Sequence, residues 1–178
     1  MLIPTSQEIS SMQPRKLNVL FLCTGNSARS IMAEALLNHY GASQFNAFSA
    51  GSCPTGQVHP MAIHTLEKRQ ISAGHPESKH WDIFATPGAP SPDFVITVCD
   101  NAAGEICPLW PGQPVTAHWG VEDPAAAPPE KQGVAFASAC NILERRIRIF
   151  VALPFASLSH LALESRIRAI GMTENNTN

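Results

Sequence analysis

The chain has 178 residues, of which 44% are hydrophobic and 15% are charged, and its formal net charge is −2. This size and composition are typical of one compact domain, and no basic run is long enough to predict binding to nucleic acid or to a membrane surface. No apolar stretch approaches the length that crosses a bilayer, and the polar segment Met1–Pro14 has no apolar core of a secretory signal. We therefore expect neither nucleic acid nor membrane as a partner.

The cysteine content predicts the compartment. Five cysteines, an odd number, argue against a secreted disulfide framework and favour thiols kept reduced in the cytoplasm. We expect a disordered lead-in over residues 1–15, a catalytic domain over 16–153, a helical extension over 154–172 and a disordered tail over 173–178. Whether the extension packs on the domain or mediates self-association stays open.

Strand and helix patterns alternate along the chain. Strands are predicted at Leu17–Leu22, Phe45–Ser49, Phe94–Val98 and Pro114–Ala117. Helices are predicted at Ser27–Tyr40, Pro60–Arg69, Val134–Leu153 and Leu158–Ile170, with loops at Thr86–Pro92 and Asp123–Gly133. Such alternation implies right-handed crossovers and hence an α/β fold with a four-stranded parallel sheet between helices.

The first strand runs directly into a cysteine loop. This run is Cys23-Thr24-Gly25-Asn26-Ser27-Ala28-Arg29-Ser30, and a helix follows it. Inward-pointing backbone N–H groups and the fork of Arg29 suit a tetrahedral oxyanion. The same positive field favours a thiolate at Cys23, to which Ser30 is placed to donate, and Asn26 suits an unusual backbone conformation. The run predicts thiolate chemistry on phosphate or an anion of its shape; the alternative is a buried strand-end cysteine followed by a capping serine.

Three chemical groups are predicted to meet at one edge of the sheet. Cys23, Cys99 and Asp123 each follow a predicted strand. Because ligands of parallel sheets bind at the carboxyl ends of the strands, we expect all three side chains on the same rim.

Further motifs carry a family resemblance. They are Ser49-Ala50-Gly51, Val98-Cys99-Asp100, Cys107-Pro108 and His118-Trp119-Gly120-Val121-Glu122-Asp123-Pro124. Together with the Cys23 loop they resemble arsenate reductases built on the low-molecular-weight tyrosine phosphatase fold, over about Leu17–Leu153. The resemblance implies a three-layer α/β sandwich, and the cysteine pair with His118-Trp119 points to the reductase branch. His118-Trp119 is expected to order the loop that carries Asp123.

The resemblance also implies a mechanism. Residues 24–30, with Arg29, would bind arsenate, and phosphate would compete for the same loop. Cys23 would attack arsenic while Asp123 protonates the departing oxygen. Cys99 would then supply the second thiol for reduction, and Cys107 would take over the disulfide, which an external thiol reductant must open.

The reductant stays open, as do the roles of the two later cysteines. The segment Asp100–Ile106 between Cys99 and Cys107 is slightly longer than in relatives that use thioredoxin. Thioredoxin and glutathione with glutaredoxin are both possible donors, and a small thiol that takes arsenic from Cys23 is a third route. Two alternatives to the redox role stay open. Cys99 is a buried strand-end residue without a chemical role, or Cys99 and Cys107 bind zinc together with His118.

A further group is expected behind the loop. Asn26, Glu34 and Ser49 resemble positions that in some relatives hold a potassium ion or form a hydrogen-bond network. We favour the network without a cation, and expect no tightly bound cofactor.

Two other functions compete with arsenate reduction. A tyrosine phosphatase of this fold usually grips its substrate with aromatic residues after the Asp-Pro pair, whereas small residues, Ala125 to Pro129, follow Asp123-Pro124 here. These suit a small inorganic anion, with weak aryl phosphatase activity expected alongside. A non-catalytic oxyanion-binding module is the other alternative, and it would keep its function after Cys23→Ser.

Overall fold

The structure is a computed structural model that describes residues 15–103 and 109–173. In chain order its strands and α-helices are β1 Leu17–Cys23, α1 Arg29–Tyr40, β2 Phe45–Gly51, α2 Pro60–Glu67, β3 Phe94–Thr97, α3 Asp100–Ala103, β4 Val115–His118, α4 Gln132–Val151 and α5 His160–Gly171. Short 3-10 turns lie at Trp81–Ala85, Pro124–Ala126 and Pro129–Lys131. The predicted lead-in and tail lie almost entirely outside the described residues, and so does Cys107.

The four strands form one parallel sheet in the order β2-β1-β3-β4. Alternate residues of the central strand β1 face opposite sides, so Phe21 joins the larger core cluster and Leu20 the smaller one. The larger cluster packs under the long helices, and the smaller is covered by Trp81 and Phe84 of a 3-10 turn. The prediction of a three-layer α/β sandwich around a four-stranded parallel sheet is confirmed.

The predicted strand and helix boundaries lie within two residues of the observed ones, and the remaining differences have local causes. Helix α1 begins at Arg29 rather than Ser27, because the preceding residues wrap around the Cys23 thiol instead of starting the helix. The predicted loop Asp123–Gly133 contains two 3-10 turns, each with proline at its start. Helix α3 and the turn Trp81–Ala85 were not predicted, because each is too short to show a periodic pattern.

Helix α5 packs on the edge of the domain. Its Ile167 is fully buried, and its backbone carbonyl accepts a hydrogen bond from the buried Trp119 indole at 2.9 Å. Arg146 of α4, 2% exposed, donates to the carbonyls of Gly120 at 3.0 Å and Gly171 at 3.1 Å. These contacts join α5 to the segment after β4, which leads to Asp123. In the described residues no helix is long and apolar enough to cross a bilayer.

Candidate active site

Cys23 ends β1 and is 3% exposed. Its sulfur lies 2.9 Å from the Ser30 hydroxyl oxygen. The Asn26 backbone N–H donates to the same sulfur at 3.2 Å. The strand therefore delivers the thiol to the sheet edge, and the loop folds back over it with hydrogen-bond donors, as the sequence predicts.

Asn26 holds the loop in this shape. Its φ of +43° lies in the left-handed region, where asparagine is tolerated better than most residues. The fully buried side chain donates from Nδ2 to the hydroxyls of Ser30 at 2.9 Å and Ser49 at 3.0 Å. Its Oδ1 accepts the backbone N–H of Lys79 at 2.8 Å. Because an amide nitrogen only donates and its oxygen only accepts, these partners fix which way the amide faces.

The direction of the remaining hydrogen bonds follows from that amide. Ser49 accepts from Asn26 and donates its own proton to the carboxylate of Glu34. Ser30 likewise accepts from Asn26 and lies 2.9 Å from the Cys23 sulfur. A thiolate can only accept, so once Cys23 is ionised the Ser30 hydroxyl is the donor of that hydrogen bond.

Opposing effects set the ionisation of the two buried acids. Burial raises the pKa of the Cys23 thiol above its usual value, although hydrogen bonds from Ser30 and the charge of Arg29 act to lower it. The donors and positive charge of the loop, from which the sequence predicts a stabilised thiolate, are therefore opposed by the desolvation of the buried sulfur. Burial also raises the pKa of Glu34, against the lowering effects of the Ser49 hydrogen bond and the Lys79 charge.

The residues that resemble a potassium site are already paired with one another. In the described part of the chain, no buried side-chain atom of Asn26, Ser30 or Ser49 lacks a hydrogen-bond partner. The positive charge acting on Glu34 is that of Lys79. Asn26, Ser30, Ser49 and Glu34 form a continuous hydrogen-bond network behind the loop.

Arg29 bridges the cysteine loop and the Asp123 loop. Its Nη1 donates to the Val121 carbonyl at 3.0 Å, and its Nη2 lies 3.3 Å from Asp123 Oδ2. The buried Nε–H has no partner among the residues that the structure describes. A guanidinium fixed at its far end, with one buried donor unsatisfied, is suited to hold an oxygen of a bound oxyanion.

Cys99 lies beside this loop, between β3 and α3. The N–H of the preceding Val98 donates to the Leu22 carbonyl of β1 at 2.8 Å, which keeps the two strand ends together. Cys99 is 2% exposed; its sulfur accepts the Ala102 N–H at 3.4 Å and lies 3.7 Å from Thr24 Oγ1. Through Thr24, Cys99 therefore adjoins the cysteine loop.

Asp123 lies on the rim of the site. Its side chain is 45% exposed; Oδ1 accepts the Ala125 N–H at 3.2 Å, while Oδ2 faces Arg29. The predicted convergence of Cys23, Cys99 and Asp123 on one edge is therefore what the structure shows. Cys107 lies outside the described residues, so its participation stays a prediction.

Two further cysteines lie in the described residues. Cys140 is buried in the core, and burial raises its pKa to about 11, so it is a neutral thiol near pH 7. Cys53 is exposed and follows β2 at the same edge of the sheet, where its backbone N–H donates to the Thr24 carbonyl at 3.0 Å. Within residues 15–103 and 109–173, no group of three His, Cys, Asp or Glu side chains is arranged to hold a metal ion.

Sequence reasoning missed two backbone contributions to the site. The Lys79 N–H orients Asn26, and the Val121 carbonyl orients Arg29. Backbone groups leave no mark in residue identity, so only the folded chain reveals them.

Comparison with known proteins identifies the family. Residues 18–161 match the family profile of low molecular weight phosphotyrosine protein phosphatases. The chain belongs to this family. An arsenate reductase of Bacillus cereus is 36% identical over 135 residues, which cover 76% of this chain and 94% of that protein. The family resemblance predicted from the sequence is confirmed.

Solved structures that resemble this chain include arsenate reductases. A structure titled as an arsenate reductase in the phosphate binding state matches with a TM-score of 0.62 at 28% identity, and covers 76% of this chain and 97% of that one. A thioredoxin-dependent arsenate reductase of Corynebacterium glutamicum matches with a TM-score of 0.54 at 26% identity, over 79% of this chain and 66% of that one.

Proposed function

We propose that this protein reduces arsenate to arsenite, with Cys23 as the nucleophile. The observation that carries the proposal is a second buried thiol, Cys99, beside the oxyanion loop of a family member whose curated relatives include arsenate reductases. A phosphatase needs only one thiol, whereas reduction of arsenic needs two electrons from a pair.

Arsenate would bind as phosphate does, because the two anions share charge and tetrahedral shape. The backbone N–H groups of residues 24–30 and the unsatisfied Nε–H of Arg29 supply the donors. Phosphate is accordingly expected to compete with arsenate.

The first chemical step forms a sulfur–arsenic bond. The Cys23 thiolate attacks arsenic, and one oxygen leaves as water with a proton from Asp123. Ser30 stabilises the thiolate before attack, and Arg29 aligns the oxyanion while holding Asp123 at the rim.

The second step transfers the electrons. The Cys99 thiolate attacks the Cys23 sulfur, a disulfide forms between them, and the sulfur–arsenic bond breaks. The electron pair of that bond stays on arsenic, which leaves as arsenite in the trivalent state. The two sulfurs have lost the two electrons that arsenic has gained.

Recycling requires a thiol from outside the chain. Cys107 attacks Cys99, which frees Cys23 and leaves a Cys99–Cys107 disulfide for an external reductant to open. A thioredoxin-dependent structural relative supports thioredoxin, and glutathione with glutaredoxin is the alternative donor. Since every step begins from a reduced thiol, we infer a reducing, cytoplasmic setting and a role in arsenic detoxification.

The test is arsenate-dependent NADPH oxidation with each donor system, in the wild type, Cys107→Ser and the exposed-cysteine control Cys53→Ser. We expect turnover with thioredoxin that Cys107→Ser abolishes and Cys53→Ser leaves intact. Turnover only with glutathione and glutaredoxin, unaffected by Cys107→Ser, would keep the reductase and remove the Cys107 step. No turnover with either donor would contradict the proposal.

The second candidate is a tyrosine phosphatase, which the family profile favours. Cys23, Arg29 and Asp123 would equally support hydrolysis of a phosphate ester, so slow hydrolysis of small aryl phosphates is expected of the reductase too. A purely binding module would need no nucleophile, and loss of all turnover in Cys23→Ser would exclude it.

A further inference from the structure

A histidine side chain spans the segment that carries Cys99. His118, the last residue of β4, places Nδ1 2.9 Å from the Thr97 hydroxyl oxygen and Nε2 2.9 Å from Asp100 Oδ1. Thr97 and Asp100 lie immediately on either side of Val98 and Cys99. One imidazole of β4 therefore contacts the residues immediately before and after Val98-Cys99.

The neighbouring residues Gly120 and Trp119 help to fix the position of His118. A Cβ atom at Gly120 would lie 2.5 Å from Asp100 Oδ1 and 2.7 Å from His118 Nε2, so a larger residue there would have to displace one member of the pair. The next residue, Trp119, is fully buried, and its backbone N–H donates to the Thr97 carbonyl at 2.7 Å. His118 is thus an exposed side chain on a rigid support.

The segment that His118 ties down needs such support. Helix α3 has 4 residues, and an isolated turn of that length is not stable by itself. Its Ala102 N–H is nevertheless the donor that reaches the Cys99 sulfur at 3.4 Å. Fixing Asp100 at the start of the turn keeps that donor, and the Cys99 thiol, in place.

We propose that His118 is a positioning residue for Cys99, through its hydrogen bond to Asp100; this inference rests on the proposed function. The bond holds the first turn of α3 so that Cys99 faces the Cys23 sulfur during its attack. Of the His118-Trp119 pair, the His118 side chain contacts the Cys99 side, while Trp119 anchors to α5 the segment that leads to Asp123.

The test isolates the attack of Cys99. In a Cys107→Ser background, arsenate is added without reductant, and formation of the Cys23–Cys99 disulfide is timed by acid quench and mass spectrometry. His118→Asn keeps a polar group near Thr97 but loses Asp100, whereas His118→Gln keeps a donor that can reach Asp100. Since exposed pairs of this kind are weak, we expect disulfide formation to slow roughly two- to fivefold in His118→Asn and much less in His118→Gln.

Two controls distinguish positioning from general damage. Aryl phosphate hydrolysis does not use Cys99 and should be unchanged in both variants. His80 forms a similar pair with Asp82 at 3.2 Å and has the same 41% side-chain exposure, so His80→Asn should leave the disulfide rate unchanged. Asp100→Ala should match His118→Asn, and the double variant should be no slower than either one.

An unchanged disulfide rate in His118→Asn would overturn the inference, as would an equal loss of aryl phosphate hydrolysis. If the parent protein forms no Cys23–Cys99 disulfide with arsenate, the proposed function itself fails. This failure can be distinguished from a failure of the inference, because it is seen in the parent protein, in which His118 is unchanged.

Discussion

Ser30 is the residue that works against the desolvation of Cys23. Burial raises the pKa of Cys23, and the hydrogen bond from the Ser30 hydroxyl acts to lower it. Ser30→Ala removes that hydrogen bond and should therefore raise the pKa of Cys23 further. The protonated thiol is inactive, so the acidic limb of kcat/KM for an aryl phosphate should move to higher pH. A shift of one pKa unit would lower activity below that limb about tenfold.

The measurement is the pH profile of kcat/KM, with Ser52→Ala as the matched control. The Ser52 hydroxyl is buried without a hydrogen-bond partner in the described residues, so its removal should leave the limb in place. A profile that Ser30→Ala does not move would mean that the hydroxyl has no effect on the ionisation of Cys23.

At the scale of single residues, side-chain identity predicted which groups surround the thiol. Cys23, Arg29 and Ser30 could be assigned because their spacing follows a strand and precedes a helix. The ionisation of Cys23 was not predictable, since the depth of burial depends on the whole fold. The roles of the Lys79 N–H and the Val121 carbonyl depend on how distant loops return to the site.

Among the elements, α5 depends most on a single close approach. A Cβ atom at Gly171 would lie 2.0 Å from the His118 carbonyl oxygen and 2.8 Å from the Trp119 ring. Gly171→Ala must push α5 away from β4, at an expected cost of about 2 kcal/mol in the free energy of unfolding.

Gly133→Ala is the helical control for that substitution. Near the start of α4, its new methyl group would meet nothing closer than Met61 at 4.0 Å. Alanine should therefore make the protein about 0.5 kcal/mol more stable through helix propensity. Urea unfolding of both variants gives the comparison, and equal stability of the two would mean that α5 does not depend on this contact.

Elements with long periodic patterns could be predicted from the sequence, whereas a single turn could not. The long helices α1 and α4 and the buried strand β1 carry enough periodic residues to be read directly. The single turn α3 does not, although it borders Cys99. Sequence alone left the packing of α5 open, because the contacts that decide it come from Trp119 and Arg146, far away in the chain.

For the whole molecule, parallel strand order is what turns separate motifs into one site. Cys23 ends β1, Cys99 follows the adjacent strand β3, and Asp123 follows β4, which lies next to β3. Alternating strands and helices made that convergence predictable before any contact was known. What the pattern could not give is how near the two sulfurs lie, because that is set by the loop of residues 24–28 and by α3.

The central claim is that Cys23 and Cys99 together reduce arsenic. The most direct measurement is arsenite released by the reduced protein alone, with arsenate and no external thiol, in the wild type and in Cys99→Ser. We expect about one arsenite per wild-type chain, since the resulting disulfide stops further turnover. Cys99→Ser should release none while it still hydrolyses aryl phosphate. No arsenite from the wild type, together with rapid aryl phosphate hydrolysis, would contradict the account and identify a phosphatase.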